Sequence, residues 1–164
     1  MPDPVGWKLY AASEGDRVSR VSSLLRDHPE INVNWTNEDE WASLHVASNK
    51  DHVEVVNLLL KRPNINVNLN YEYGQTPFLL GCWNGHVSVV EVLLKDPRVD
   101  ITLDDDWGCT PLWWASHNGK HEVIELLIAS SRDLGDVKRK KGADWGRSVD
   151  RIHPPWNFYE GPED

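Results

Sequence analysis

Seven histidines, two cysteines and 26 acidic residues are the side chains from which metal binding or acid–base catalysis would be built in this 164-residue chain, so their spacing decides what chemistry is open. His117 and His121 have the i, i+4 spacing of a helical metal pair, but Gly119 falls between them where a helix is expected to end, and no third ligand has a suitable spacing. Cys82 occupies a small-residue helix position expected to be buried. Triplets of Ser, His and acid can be named, yet none sits in a G-x-S-x-G elbow. G-x-G-x-x-G and Walker sequences are missing, which removes the usual phosphate cradles. Asp104-Asp105-Asp106 lacks the spacing and distal Glu of a calcium loop and is read as a solvated hairpin tip. The expectation is a protein without catalytic residues, metal or cofactor. Nine tryptophans are more than one core needs, and several have carboxylates close in sequence. That combination points to recognition, because rigid aromatic rings give large contact area at small entropic cost and attract cations through their faces.

The elements that position these residues recur with a period of 34. Pro29-Glu30-Ile31-Asn32-Val33-Asn34 is followed by Pro63-Asn64-Ile65-Asn66-Val67-Asn68 and by Pro97-Arg98-Val99-Asp100-Ile101-Thr102. Leu44, Phe78 and Leu112 keep the same step, as do Asp51, Gly85 and Gly119. Within a copy, Gly74-Gln75-Thr76-Pro77 reads as a turn and a helix start, with Thr76 as N-cap and Pro77 at the first helical position. Asn84-Gly85 stops that helix, since glycine takes the left-handed conformation freely. Val87, Val89, Val90, Val92, Leu93 and Leu94 then give a second helix with a broad apolar face, ended by Pro97. Such a unit covers its apolar face only by stacking on neighbours, so the array is the folding unit.

Thr110-Pro111-Leu112, the Leu44-His45-x-Ala47 echo, Gly85-His86 and the Val-Val-x-Leu-Leu-Leu run resemble the ankyrin repeat, a unit of about 33 residues built as a turn plus two helices. The resemblance covers residues 7–137 in copies of about 7–34, 37–68, 71–102 and 105–137. Stretches such as Pro111-Leu112-Trp113-Trp114-Ala115-Ser116 further resemble the arrays of fungal multidomain proteins. The fold it implies is an all-α repeat, an ankyrin solenoid of helix-turn-helix units with β-hairpin or loop fingers. It also implies that His45, His52 and His86 bond neighbouring backbone. Carried over position by position, the family's contact residues on its concave face fall on Glu38, Asp39 and Trp41, then Glu72, Tyr73, Gln75, Trp83 and Asn84, then Asp106, Trp107, Cys109, His117 and Asn118. The first copy lacks Thr-Pro and reads as a cap. The second carries Glu40, Ala42 and Ser43 in place of Gly, Thr and Pro, so its finger is expected to be looser or differently aimed.

The charge distribution sharpens the function expected. Residues 1–137 carry −10, residues 138–151 carry +4 and residues 152–164 carry −3 of the total −9. An acidic body repels a phosphate backbone and steers cations toward itself, which argues against nucleic acid and for a basic peptide or protein surface as partner. The expected role is therefore a non-catalytic, monomeric protein-interaction module. The alternatives are a small-molecule site or enzyme with a Trp-lined pocket, and a structural slice of a longer array. Two cysteines are too few for a disulfide scaffold, and no secretory signal or span of about 20 apolar residues is seen, so a cytoplasmic protein is expected. Lys138-Arg139-Lys140-Lys141 is either a linker or a nuclear-import run. Residues 144–152 could begin a fifth helix, which Pro154-Pro155 would stop. The aromatic stretch 153–159 either packs on the last repeat or forms a docking tail.

Overall fold

The computed structural model describes residue 3 and residues 5–134. The 34-residue period becomes four helix pairs: α1 (Gly6–Glu14) with α2 (Val18–Asp27), α3 (Ser43–Asn49) with α4 (Val53–Leu60), α5 (Pro77–Asn84) with α6 (Val87–Lys95), and α7 (Pro111–His117) with α8 (His121–Ala129). The first helices of the pairs pack in one row, α1 on α3 on α5 on α7, and the second helices in a parallel row. Between the rows runs one apolar core from Leu9 and Val21 through Leu44, Leu59, Phe78 and Leu93 to Ala115 and Leu127, all buried. Each of these chains removes about 1.5–3 kcal/mol worth of apolar surface from water, and most of it is covered by an adjoining pair.

Local sequence explains the helix ends. The hydroxyls of Thr76 and Thr110 accept from the Leu79 and Trp113 amides, both at 3.2 Å, with Pro77 and Pro111 following at the first helical position. In the second pair Ala42 has no hydroxyl to offer. His45 compensates: its Nδ1 accepts from the Ala42 amide at 3.1 Å and its Nε2 donates to the Leu69 carbonyl at 2.7 Å. Each first helix is followed by a residue of positive φ, Asp16, Asp51, Gly85 and Gly119 in turn. A second left-handed position closes each finger, at Glu40 (63°), Gly74 (75°) and Gly108 (73°). Glu40 therefore takes the left-handed position that glycine holds in the other two fingers, at the cost of backbone strain, while the third finger has Tyr73 left-handed as well (69°). The fingers are loops and turns, with a single antiparallel bridge between Thr36 and Ala42 in the second repeat.

Polar side chains sew neighbouring pairs together. The Asn34 amide donates to the Asn64 carbonyl and accepts from the Asn66 amide, at 2.9 and 2.7 Å. Asn68 repeats this toward Arg98 and Asp100, at 2.9 and 2.8 Å. Arg62 donates to the carbonyls of Leu25 and Pro29, Arg98 to those of Leu60 and Arg62, and Arg132 to those of Leu94 and Val99. Each guanidinium thus satisfies carbonyls left over where the previous second helix ends. His52 and His86 reach the Ser13 and Asn49 carbonyls at 2.9 and 2.8 Å, so the three repeat-position histidines all serve backbone. The basic run 138–141, the short helix expected over 144–152 and the aromatic tail lie outside the described residues.

Candidate functional site

Finger residues pack on the first helices, Trp41 near His45 and Asp105 on Trp114, and the finger register decides which of the expected contact residues are exposed. Position 39, two steps along at 73 and 107, sits at the turn. There Asp39 is exposed, and Tyr73 stacks on Trp107 with ring centres 5.2 Å apart and planes 21° off parallel. The backbone locks the same junction, the Asp106 amide donating to the Tyr73 carbonyl at 2.9 Å. Gly74 makes this approach feasible. A Cβ there would lie 2.6 Å from Asp106 Oδ1, and its φ of 75° suits glycine. Glu72 and Asp106 flank the ring pair in sequence and are exposed, as are Glu38, Asp39 and Glu40 of the preceding finger. The Glu72 carboxylate, bonded to the Tyr73 hydroxyl, raises that phenol above its ordinary range and keeps it neutral.

Two positions further on, at 41, 75 and 109, the backbone descends toward the core, and this corrects the expected contact set. Gln75 is fully buried and its Oε1 accepts from the Tyr71 hydroxyl at 2.5 Å. Cys109 is buried as well. Neither presents a side chain to a partner. Trp41 is too large for the same slot and stays half-buried, with its ring 4.7 Å from Tyr71 and 6.2 Å from His45. Asn84 and Asn118 are also committed to the fold: Asn84 Nδ2 donates to Asn49 Oδ1 and the Leu80 carbonyl, both at 2.9 Å, and Asn118 Nδ2 to the Trp83 carbonyl at 3.2 Å.

At the fourth repeat the rings gather into a second apolar cluster. Leu79, Cys109 and Trp114 are buried, with half-buried Trp83, Trp107 and Trp113 packed on them. Trp83 lies 3.8 Å from Trp114 between ring centres, and Trp113 lies 4.7 Å from Trp114 and stacks at 4.8 Å on exposed His117. Rings thus fill one another's space. The anchor of this cluster corrects a further expectation. Asp105, read from sequence as part of a solvated tip, is 5 % exposed. Its Oδ1 accepts from the Trp107 and Cys109 amides at 3.1 and 2.9 Å, and its Oδ2 accepts from the Trp114 indole at 2.7 Å. Burial raises its pKa, partly offset by these three donors. No sequence motif marks an Asp nine residues before a Trp; the pairing needs the finger to fold back on its helix. The two 34-residue steps from Asn37 through Tyr71 to Asp105 were the available signal, since Asn37 Oδ1 accepts the Asp39 and Trp41 amides in the same way.

Burial alters two titratable groups of the first helices. Burial lowers the pKa of His45 to about 4, so it is neutral and held by two backbone bonds. Burial also pushes the Cys82 thiol far up, which makes it a poor nucleophile. His117 and His121 flank the Gly119 turn, one ending α7 and the other starting α8. Among the described residues no group of three or more His, Cys, Asp or Glu is placed to hold a metal ion, and no helix is long and apolar enough to cross a membrane.

Comparison with known proteins adds the following. A family model described as ankyrin repeats (3 copies) matches residues 9–105 and again residues 79–145. No curated protein matches the chain.

Proposed function

Because this chain belongs to the ankyrin-repeat family, whose arrays generally mediate protein–protein interaction and are typically non-catalytic, we propose that it is a binding module for a basic, extended peptide or protein surface. The observation that carries this reading is the pairing of half-buried rings with exposed carboxylates in the fingers: Trp41, Tyr73 and Trp107 beside Glu38, Asp39, Glu72 and Asp106. A Lys or Arg seated on such a ring gains about 0.5–2 kcal/mol from the ring face and more from the carboxylates. Rings already fixed by Tyr71 or by one another lose little freedom on binding, which favours affinity. A sequence with only two cysteines suits the cytoplasm or the nucleus as its place of action.

The test is affinity capture at low and high salt with the wild type and with the reversal Glu38→Lys, Asp39→Lys, Glu72→Lys and Asp106→Lys. These side chains are exposed, so the fold should survive. A basic protein retained by wild type at low salt and lost with the quadruple variant supports the reading. The same proteins recovered by both forms would reject it. The second reading, a slice of a longer array, is favoured by Ile128 on α8, an apolar side chain 66 % exposed. It is checked by whether a longer natural chain melts as one cooperative unit with this segment.

A further inference from the structure

The fingers carry rings at the junctions between repeats. Trp41 of the second lies on Tyr71 of the third with ring centres 4.7 Å apart, and Tyr73 of the third lies on Trp107 of the fourth at 5.2 Å. Trp41, Tyr73 and Trp107 are all half-buried, so each ring is fixed by a neighbour and still open on part of its surface. A second feature runs in step with the rings. Glu38, Glu72 and Asp106 are each one 34-residue step apart and all exposed, with the Glu72 carboxylate bonded to the Tyr73 hydroxyl. Residues 34–42, 68–76 and 102–110 contain no Lys or Arg, so each finger presents acid unopposed by its own cations. The first helices behind these fingers pack in one row, α3 on α5 on α7. Packed helices stand roughly 8–10 Å apart, and equivalent finger positions recur at about that interval.

That interval selects the conformation of a ligand. An extended strand returns a side chain to the same face about every 6.8 Å and an α-helix about every 5.4 Å, so neither keeps step with the fingers. A polyproline II chain has three residues per turn with a rise of about 3.1 Å, and so returns about every 9.3 Å. Resting on the basic-peptide reading above, we propose that the partner segment is a polyproline II stretch with Lys or Arg at every third residue. It crosses the second, third and fourth fingers, one cation to each carboxylate step, and its footprint is about nine residues. Charge complementarity selects the cations, and the rings select what lies between them, since proline-rich chains dock on aromatic-lined surfaces. Such a chain is already stiff, so it gives up little freedom on binding.

The experiment is fluorescence anisotropy on the full chain with two labelled twelve-residue peptides, each of four lysines and eight prolines. In one, Lys-Pro-Pro repeats four times, which sets every lysine on one face. In the other the lysines are separated alternately by two and four residues, which scatters them. Charge, length and stiffness are equal, so only register differs. The in-register peptide should bind about fivefold more tightly than the scattered one at low salt. Glu72→Gln, which removes the middle carboxylate, should weaken the in-register peptide about threefold, whereas Glu40→Gln, an equal loss of charge at an exposed finger position out of step with the ladder, should change it little. Equal affinity of the two peptides, or equal losses from the two substitutions, would overturn the proposal. Equal but salt-sensitive binding of both peptides would do so while leaving the basic-partner reading intact; binding of neither would end both.

Discussion

Single residues carry strain and charge that substitutions can read out. Glu40 holds the left-handed turn that Gly74 and Gly108 take in the following fingers. A side chain there costs about 1 kcal/mol, so Glu40→Gly should raise stability by roughly that amount in urea titration, with an unchanged far-ultraviolet spectrum. Asp105 is the opposite case. Removing its carboxylate strands the Trp114 indole and two finger amides, so Asp105→Ala should cost about 2–4 kcal/mol, and Asp105→Asn less because one oxygen still accepts. His45 sets an acid limit. Its folded pKa of about 4 lies below the roughly 6.5 of an unfolded imidazole, so the unfolded chain binds the extra proton. The stabilisation from this site is complete above about pH 6.5 and is lost progressively as pH falls toward 4, up to about 3 kcal/mol in all. Urea midpoints should therefore fall between pH 7.5 and 5 in wild type and fall less in His45→Gln. These three residues also mark where sequence reading stops. The histidine's service to backbone follows from its repeat position, whereas Asp105 looked like one of three solvated acids because its indole partner is brought near only by folding.

At the scale of elements, most of the architecture was legible. Thr-Pro starts, positive-φ stops and a 34-residue step are local features, and they reappear as the caps of α5 and α7 and the turns at Gly85 and Gly119. Contacts between pairs were not legible in the same way. Arg62, Arg98 and Arg132 look like ordinary surface cations until the previous helix end is set beside them, 33–38 residues back. Gln75 was misplaced for a related reason: one residue past the turn glycine the backbone changes direction, and the family pattern of variable positions does not show that descent. The asparagine ladder gives a test at this scale. Asn68→Ala removes both bonds to the next finger and should cost about 1–2 kcal/mol. The loss should appear as faster amide exchange in α5 through α8, with α1 and α2 little changed, since coupling in such stacks runs between neighbours.

For the whole molecule, the decisive property is where the negative charge lies, because any protein of net charge −9 attracts cations weakly. Recognition by the finger face requires that geometry, rather than total charge, select the ligand. A fluorescent peptide of alternating Lys and Gly serves as probe, with alternating Glu and Gly as its mirror in charge. Its anisotropy is followed in wild type, in the finger reversal at Glu38, Asp39, Glu72 and Asp106, and in an equal reversal at Glu54, Glu91, Glu122 and Glu125, exposed positions of α4, α6 and α8. Salt-sensitive binding of the Lys peptide is predicted for wild type and the second-helix reversal, and a loss of at least about tenfold for the finger reversal. Equal weakening by the two reversals, or no binding of the Lys peptide to wild type, would contradict it.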